Sequence, residues 1–100
     1  MTEDLLPDGH VARRLRITGR VQGVGFRDWA VEIAEMLDLT GWVRNRVDGS
    51  VEALVVGEEI GVDDFVRRCH SGPGSAEVEK VDVQPAQGIV GEGFLQKPTV

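Results

Sequence analysis

The residues best equipped for chemistry are a glycine-rich run, Gly19-Arg20-Val21-Gln22-Gly23-Val24-Gly25-Phe26-Arg27, and an asparagine about eighteen residues beyond it, Asn45. Where a glycine-rich turn enters a helix, backbone N–H groups can converge on an anion, and the helix dipole favours negative charge there. Arg27 adds a planar, permanently charged fork that matches phosphate or carboxylate oxygens. Together they predict an anion-binding loop. The spacing is not the G-x-G-x-x-G of dinucleotide-binding folds, and no Gly-Lys-Ser/Thr follows as in Walker A loops. Taken locally, such a run is more often only a turn, and an arginine there more often a structural salt-bridge residue.

The other polar residues offer less. Gln22 can brace the loop from within. Trp42 suits packing better than ligand stacking. Cys69 lies four residues after Phe65 and reads as a small core residue rather than a nucleophile. His70 falls near a helix C-terminus, where a dipole contact is favourable, and His10 lies in the N-terminal segment. One cysteine and two scattered histidines do not make a zinc site. The acids Glu58-Glu59 and Asp63-Asp64 read as a solvated flank of a helix start.

These residues sit in a chain of 100, the size of one domain with one core, and its 41% apolar and 28% charged content is that of an ordinary globular protein. No apolar run approaches the roughly 20 residues of a membrane span, and the acidic Met1-Thr2-Glu3-Asp4 start lacks a signal peptide's order. A single cysteine excludes an internal disulfide and fits a reducing compartment, so a cytoplasmic location is expected. The net charge of −6 opposes general nucleic-acid or acidic-membrane binding. Its distribution says more: five arginines and no acid fall between His10 and Arg27. A local basic region on an acidic protein suits a small anion, although Arg14 and Arg16 also fit a solvated strand face.

Residues 1–10 read as a flexible arm and residues 11–97 as a single domain. A strand is expected over 11–19, with Leu15 and Ile17 on one side and Arg14, Arg16 and Thr18 on the other. A helix is expected from Phe26 to Leu39, with an apolar stripe of Phe26, Trp29, Ala30, Ile33, Ala34 and Leu37, stopped by Gly41. Trp42 to Arg46 predicts a second strand, Asp48-Gly49 a hairpin turn and Val51 to Val56 a third strand. A second helix over 59–71, with Val62, Phe65, Val66 and Cys69 inward, ends at Gly72-Pro73. Glu77 to Val83 predicts a fourth strand, and Phe94-Leu95-Gln96 a short edge strand.

This β-α-β-β-α-β order predicts an α+β, ferredoxin-like sandwich: an antiparallel sheet of four or five strands with two helices on one face. The first two strands then run parallel with the third between them, and their C-terminal ends share one edge. Asn45 has the parity of Val43, so if Val43 faces the helices, Asn45 faces the start of the first helix. The glycine loop and Asn45 thus converge.

The glycine run resembles the first signature of the acylphosphatase family. Gly41-Trp42-Val43-Arg44-Asn45, with Asp48-Gly49-Ser50-Val51-Glu52 and Gly57, resembles the second, and Gly72-Pro73-Gly74 is also similar. The resemblance covers roughly residues 13–84. It implies hydrolysis of the carboxyl-phosphate bond of acyl phosphates, with no metal and no cofactor. By position, Arg27 is implied to bind the phosphoryl oxygens and Asn45 to orient the attacking water. The segment Arg20, Val21, Gln22, Gly23, Val24, Gly25 and Phe26 is implied to form the substrate cradle, chiefly through N–H groups. Asp28 departs from the family pattern, which is often aromatic or small there, and Phe94-Leu95-Gln96-Lys97 matches the last strand only loosely.

The partner expected is therefore a small acyl phosphate, with no nucleic acid and no membrane, and the chain is expected to be a monomer. One alternative is a non-catalytic ferredoxin-like module that binds a small phosphorylated metabolite. An RNA-recognition module shares the element order, but it needs aromatics on its central strands, and strands one and three have none. The acylphosphatase-like domain of a larger maturation protein is a further alternative.

Overall fold

Alternation along the first strand puts Leu15 and Ile17 on one face and Arg14 and Arg16 on the other, so one side must be covered and the other can meet water. The computed structural model describes residues 6–88 and 91–100. In chain order the elements are β1 (His10–Arg20), α1 (Phe26–Met36), β2 (Thr40–Asn45), β3 (Val51–Glu58), α2 (Glu59–Cys69), β4 (Glu77–Pro85) and β5 (Phe94–Gln96). The strands lie in the order β4-β1-β3-β2-β5. β3 pairs antiparallel with both β1 and β2, and β4 pairs antiparallel with β1. The α+β, ferredoxin-like order read from the sequence is the order observed. At its far edge the sheet becomes mixed, because β5 adds parallel to β2.

Both helices cover the Leu15 and Ile17 face. Phe26, Ala30 and Ala34 of α1 join Val62, Phe65 and Cys69 of α2 in one core with Leu15, Ile17, Val43, Val51, Ala53 and Val55. Burial of each large apolar side chain there contributes about 1.5–3 kcal/mol. The opposite face is not bare. Leu6, Trp42 and Ala86 pack over Ala12, Leu54 and Val56. Beside them the nearly buried Glu52 receives Arg44 at 2.9 Å and Arg46 at 3.0 Å, with Arg14 at 3.8 Å. Burial pushes the Glu52 carboxyl up, but the Arg44 and Arg46 guanidinium groups outweigh it and hold its pKa below the ordinary value.

The strand ends shift by one or two residues from expectation, and three other boundaries also differ. α1 stops at Met36 rather than Leu39. Asp38 takes a left-handed φ of 60°, its N–H donates to the Glu35 carbonyl at 3.1 Å, and the Leu39 N–H donates to the Ala34 carbonyl at 2.8 Å. These two bonds form a Schellman cap with aspartate where glycine is usual. The cap turns Leu39 into the core beside Gly57 and Gly61. α2 likewise ends at Cys69, two residues before the expected 71, because Ser71 and Gly72 both return their N–H groups to the Arg68 carbonyl. Residues 6–10, from the segment expected to be an arm, are tied to the fold. Leu6 packs on the outer face, His10 opens β1, and the Glu59 N–H donates to the Gly9 carbonyl at 2.9 Å. Residues 1–5 of that segment, and 89–90 of the glycine-rich tail, lie outside the described residues.

Candidate active site

β1 releases the chain into the glycine loop through a register shift against β4 at Thr18/Gly19. Gly19 has φ 116°, and a side chain there would strike the Glu77 carbonyl. The loop is pinned at both ends by apolar burial: Val21 and Phe26 are almost fully enclosed, and Phe26 meets Trp29 edge-on with centroids 5.2 Å apart. Between them Gly23 and Gly25 take φ 74° and 81°, with open space where a Cβ would sit. Glycine is therefore demanded by backbone conformation, since an L side chain costs about 1–2 kcal/mol there.

Gly25 is also the N-cap of α1, and no side chain caps that end. Its carbonyl accepts the Trp29 N–H at 3.0 Å. No N–H group from Gln22 to Gly25 donates to a backbone carbonyl among the described residues. The first turn of α1 adds N–H groups that helix geometry leaves without an internal acceptor. Several donors thus gather at the positive end of a helix, an arrangement suited to a tetrahedral anion.

The second wall comes from the β2–β3 hairpin. The Gln22 side-chain amide donates to the carbonyls of Arg46 at 2.7 Å and Ser50 at 2.9 Å, which fastens the glycine loop to the hairpin. The hairpin turn is itself held by Asp48, whose Oδ1 accepts the Ser50 N–H at 2.9 Å and the Ser50 hydroxyl at 2.6 Å. Those two Ser50 bonds, aided by Arg16, lower the Asp48 pKa from 3.8 to about 2. Asn45 closes β2 opposite Val51, on the face of the buried Val43.

Loop and hairpin meet at a cavity of about 80 Å³. Of the residues expected from sequence, it brings together Val21, Gly23, Gly25, Phe26, Arg27 and Asn45. Arg20, Gln22 and Val24 stand outside its lining. Arg20 pairs with Glu77 at 3.4 Å on the exposed surface, Val24 packs against the core, and the Gln22 amide is held by the hairpin. Arginines 14, 16, 20, 44, 46, 67 and 68 each pair with a carboxylate; Arg27 does not, among the described residues. Its neighbour Asp28 accepts a 2.6 Å hydrogen bond from the Gln96 amide instead.

Gln96 also lines the cavity, and nothing in the two motifs pointed to it. It arrives through β5, which runs beside β2 with the Lys97 N–H on the Val43 carbonyl at 2.9 Å. Phe94 anchors that strand, buried 5.9 Å from Phe65. Away from the cavity, burial raises the Cys69 thiol pKa well above its ordinary value, which leaves it unreactive as a nucleophile. Among the described residues, no group of three or more His, Cys, Asp or Glu side chains is placed to hold a metal ion, and no helix is long and apolar enough to cross a membrane.

Comparison with known proteins identifies the family. The acylphosphatase family model matches residues 13–94. An acylphosphatase of Rhizorhabdus wittichii is 50% identical over 94 residues, covering 94% of each chain. One from Nitrobacter hamburgensis is 52% identical over 96 residues, covering 90% of this chain and 97% of its own. Among solved structures, an acylphosphatase from Coxiella burnetii superimposes with a TM-score of 0.82 at 30% identity, over 97% of this chain and all of that one. With the family model spanning most of its length and relatives about half identical over nine-tenths of it, this chain belongs to the acylphosphatase family.

Proposed function

We propose that this chain hydrolyses small acyl phosphates to a carboxylate and inorganic phosphate, with the phosphoryl group held by Arg27 and the loop N–H groups and the water oriented by Asn45. The observation that carries this reading is that Arg27, without a carboxylate partner among the described residues, shares one small cavity with Asn45 at the uncapped start of α1. A guanidinium and several N–H groups bind phosphoryl oxygens and gain strength as charge develops on them. The Asn45 amide both donates and accepts, so it can fix a water in line with the phosphorus. As the water oxygen bonds to phosphorus, the bond from phosphorus to the acyl oxygen breaks and the carboxylate departs. Carboxylate is a good leaving group and needs no protonation. The water's proton passes to a phosphoryl oxygen, giving dihydrogen phosphate. Positioning and charge stabilisation supply most of such a rate.

The test is phosphate release from benzoyl phosphate in EDTA. Wild type is expected to turn over, and Arg27→Ala to lose about 10²–10³-fold, the effect of deleting one preorganised charge-stabilising donor. A folded wild type that releases no phosphate contradicts the activity. An Arg27→Ala variant that keeps wild-type turnover contradicts the cradle.

A further inference from the structure

The acid at the mouth of an anion site is the feature this reading leaves unexplained. Asp28 follows Arg27 in the first turn of α1, lines the same cavity and is exposed. A carboxylate beside a phosphate cradle opposes the ligand's charge unless it is kept from the phosphoryl position. Gln96 supplies the restraint: its amide, carried on β5, donates to Asp28 Oδ1 at 2.6 Å. That contact joins two elements 68 residues apart in sequence. The second carboxylate oxygen, Oδ2, makes no hydrogen bond or ion pair among the described residues.

With the phosphoryl group seated on the loop N–H groups and Arg27, an acyl group of any size extends from the cavity toward solvent. The acyl group must therefore cross the rim, and two of the rim side chains are Asp28 and Gln96. We infer that Asp28, positioned by Gln96, is a specificity-determining residue that disfavours acyl phosphates whose acyl group carries a negative charge and leaves uncharged ones as the substrate class. This inference rests on the hydrolytic reading above. Two like charges about 5–7 Å apart at a half-solvated rim repel enough for roughly a three- to tenfold difference in apparent affinity.

The experiment compares kcat/KM for acetyl phosphate, with a neutral acyl group, and succinyl phosphate, which adds a carboxylate. In Asp28→Asn, which keeps the shape and the acceptor for Gln96, the succinyl-to-acetyl ratio is expected to rise about three- to tenfold, through KM. Asp28→Glu restores the charge and is expected to return the ratio toward wild type. Gln96→Glu adds a second negative charge at the rim and is expected to lower the ratio below wild type. A ratio unmoved by Asp28→Asn, or a rise carried by kcat alone, overturns the inference. So does an equal gain on both substrates, which would show Asp28 acting on the phosphoryl group. Wild type inactive on both substrates is a different outcome: it overturns the hydrolytic reading itself.

Discussion

Arg27 and Gln22, two hydrogen-bonding side chains of one loop, end in different surroundings. Arg27 faces a cavity without a carboxylate partner among the described residues, whereas Gln22, five residues earlier, places its amide on two carbonyls of the hairpin. Removing that amide deletes two hydrogen bonds, although each carbonyl keeps a backbone donor within the hairpin, so Gln22→Ala is expected to lower stability by about 1–3 kcal/mol in chemical denaturation. Because Asn45 rides on the same hairpin, kcat should fall more than phosphate affinity. Unchanged stability and kcat would show that the two bonds do not hold the hairpin in place. Gln22 was legible as a brace because it lies inside the glycine run. Gln96 was not legible in the same way: its place at the cavity depends on a three-residue strand pairing across the sheet, and no local spacing encodes that.

At the scale of elements, the hairpin depends on an ionised aspartate. The Asp48 pKa is lowered to about 2 from 3.8, so its contribution is fully present above the ordinary value and is lost as pH falls through the folded one. Thermal melts are therefore expected to show stability falling between about pH 4 and pH 2, with a shallower fall in Asp48→Ala, which already lacks the Ser50 bonds at neutral pH. Identical slopes for the two proteins in that window would contradict the assignment. The turn itself was plain from Asp48-Gly49. The end of α1 was not, because the apolar stripe continues through Leu37 while the chain leaves the helix in a Schellman cap at Asp38, a position where sequence favours glycine.

Across the whole molecule, the site follows from topology. With β3 between β1 and β2, the two parallel strands end at the same edge of the sheet, and α1 begins there. The parity of Val43 and Asn45 then turns Asn45 toward that helix start, an inference that element order and alternation alone sustained. What pattern could not supply was the parallel addition of β5 and the covering of the outer face by Leu6, Trp42 and Ala86. Both depend on short segments without periodicity, whose positions are fixed by contacts far away in sequence. A buried Glu52 ringed by arginines was likewise invisible, because alternation alone assigns those arginines to water.

The division of labour between Arg27 and Asn45 is tested most directly by measuring inorganic phosphate affinity by calorimetry beside turnover in Arg27→Ala and Asn45→Ala. Phosphate binding should weaken sharply in Arg27→Ala along with kcat. In Asn45→Ala, kcat should fall by at least about 10²-fold while phosphate affinity stays within about threefold, because the role proposed for that side chain is on the water. Equal losses of affinity and turnover in Asn45→Ala, or undiminished phosphate binding in Arg27→Ala, would contradict the account.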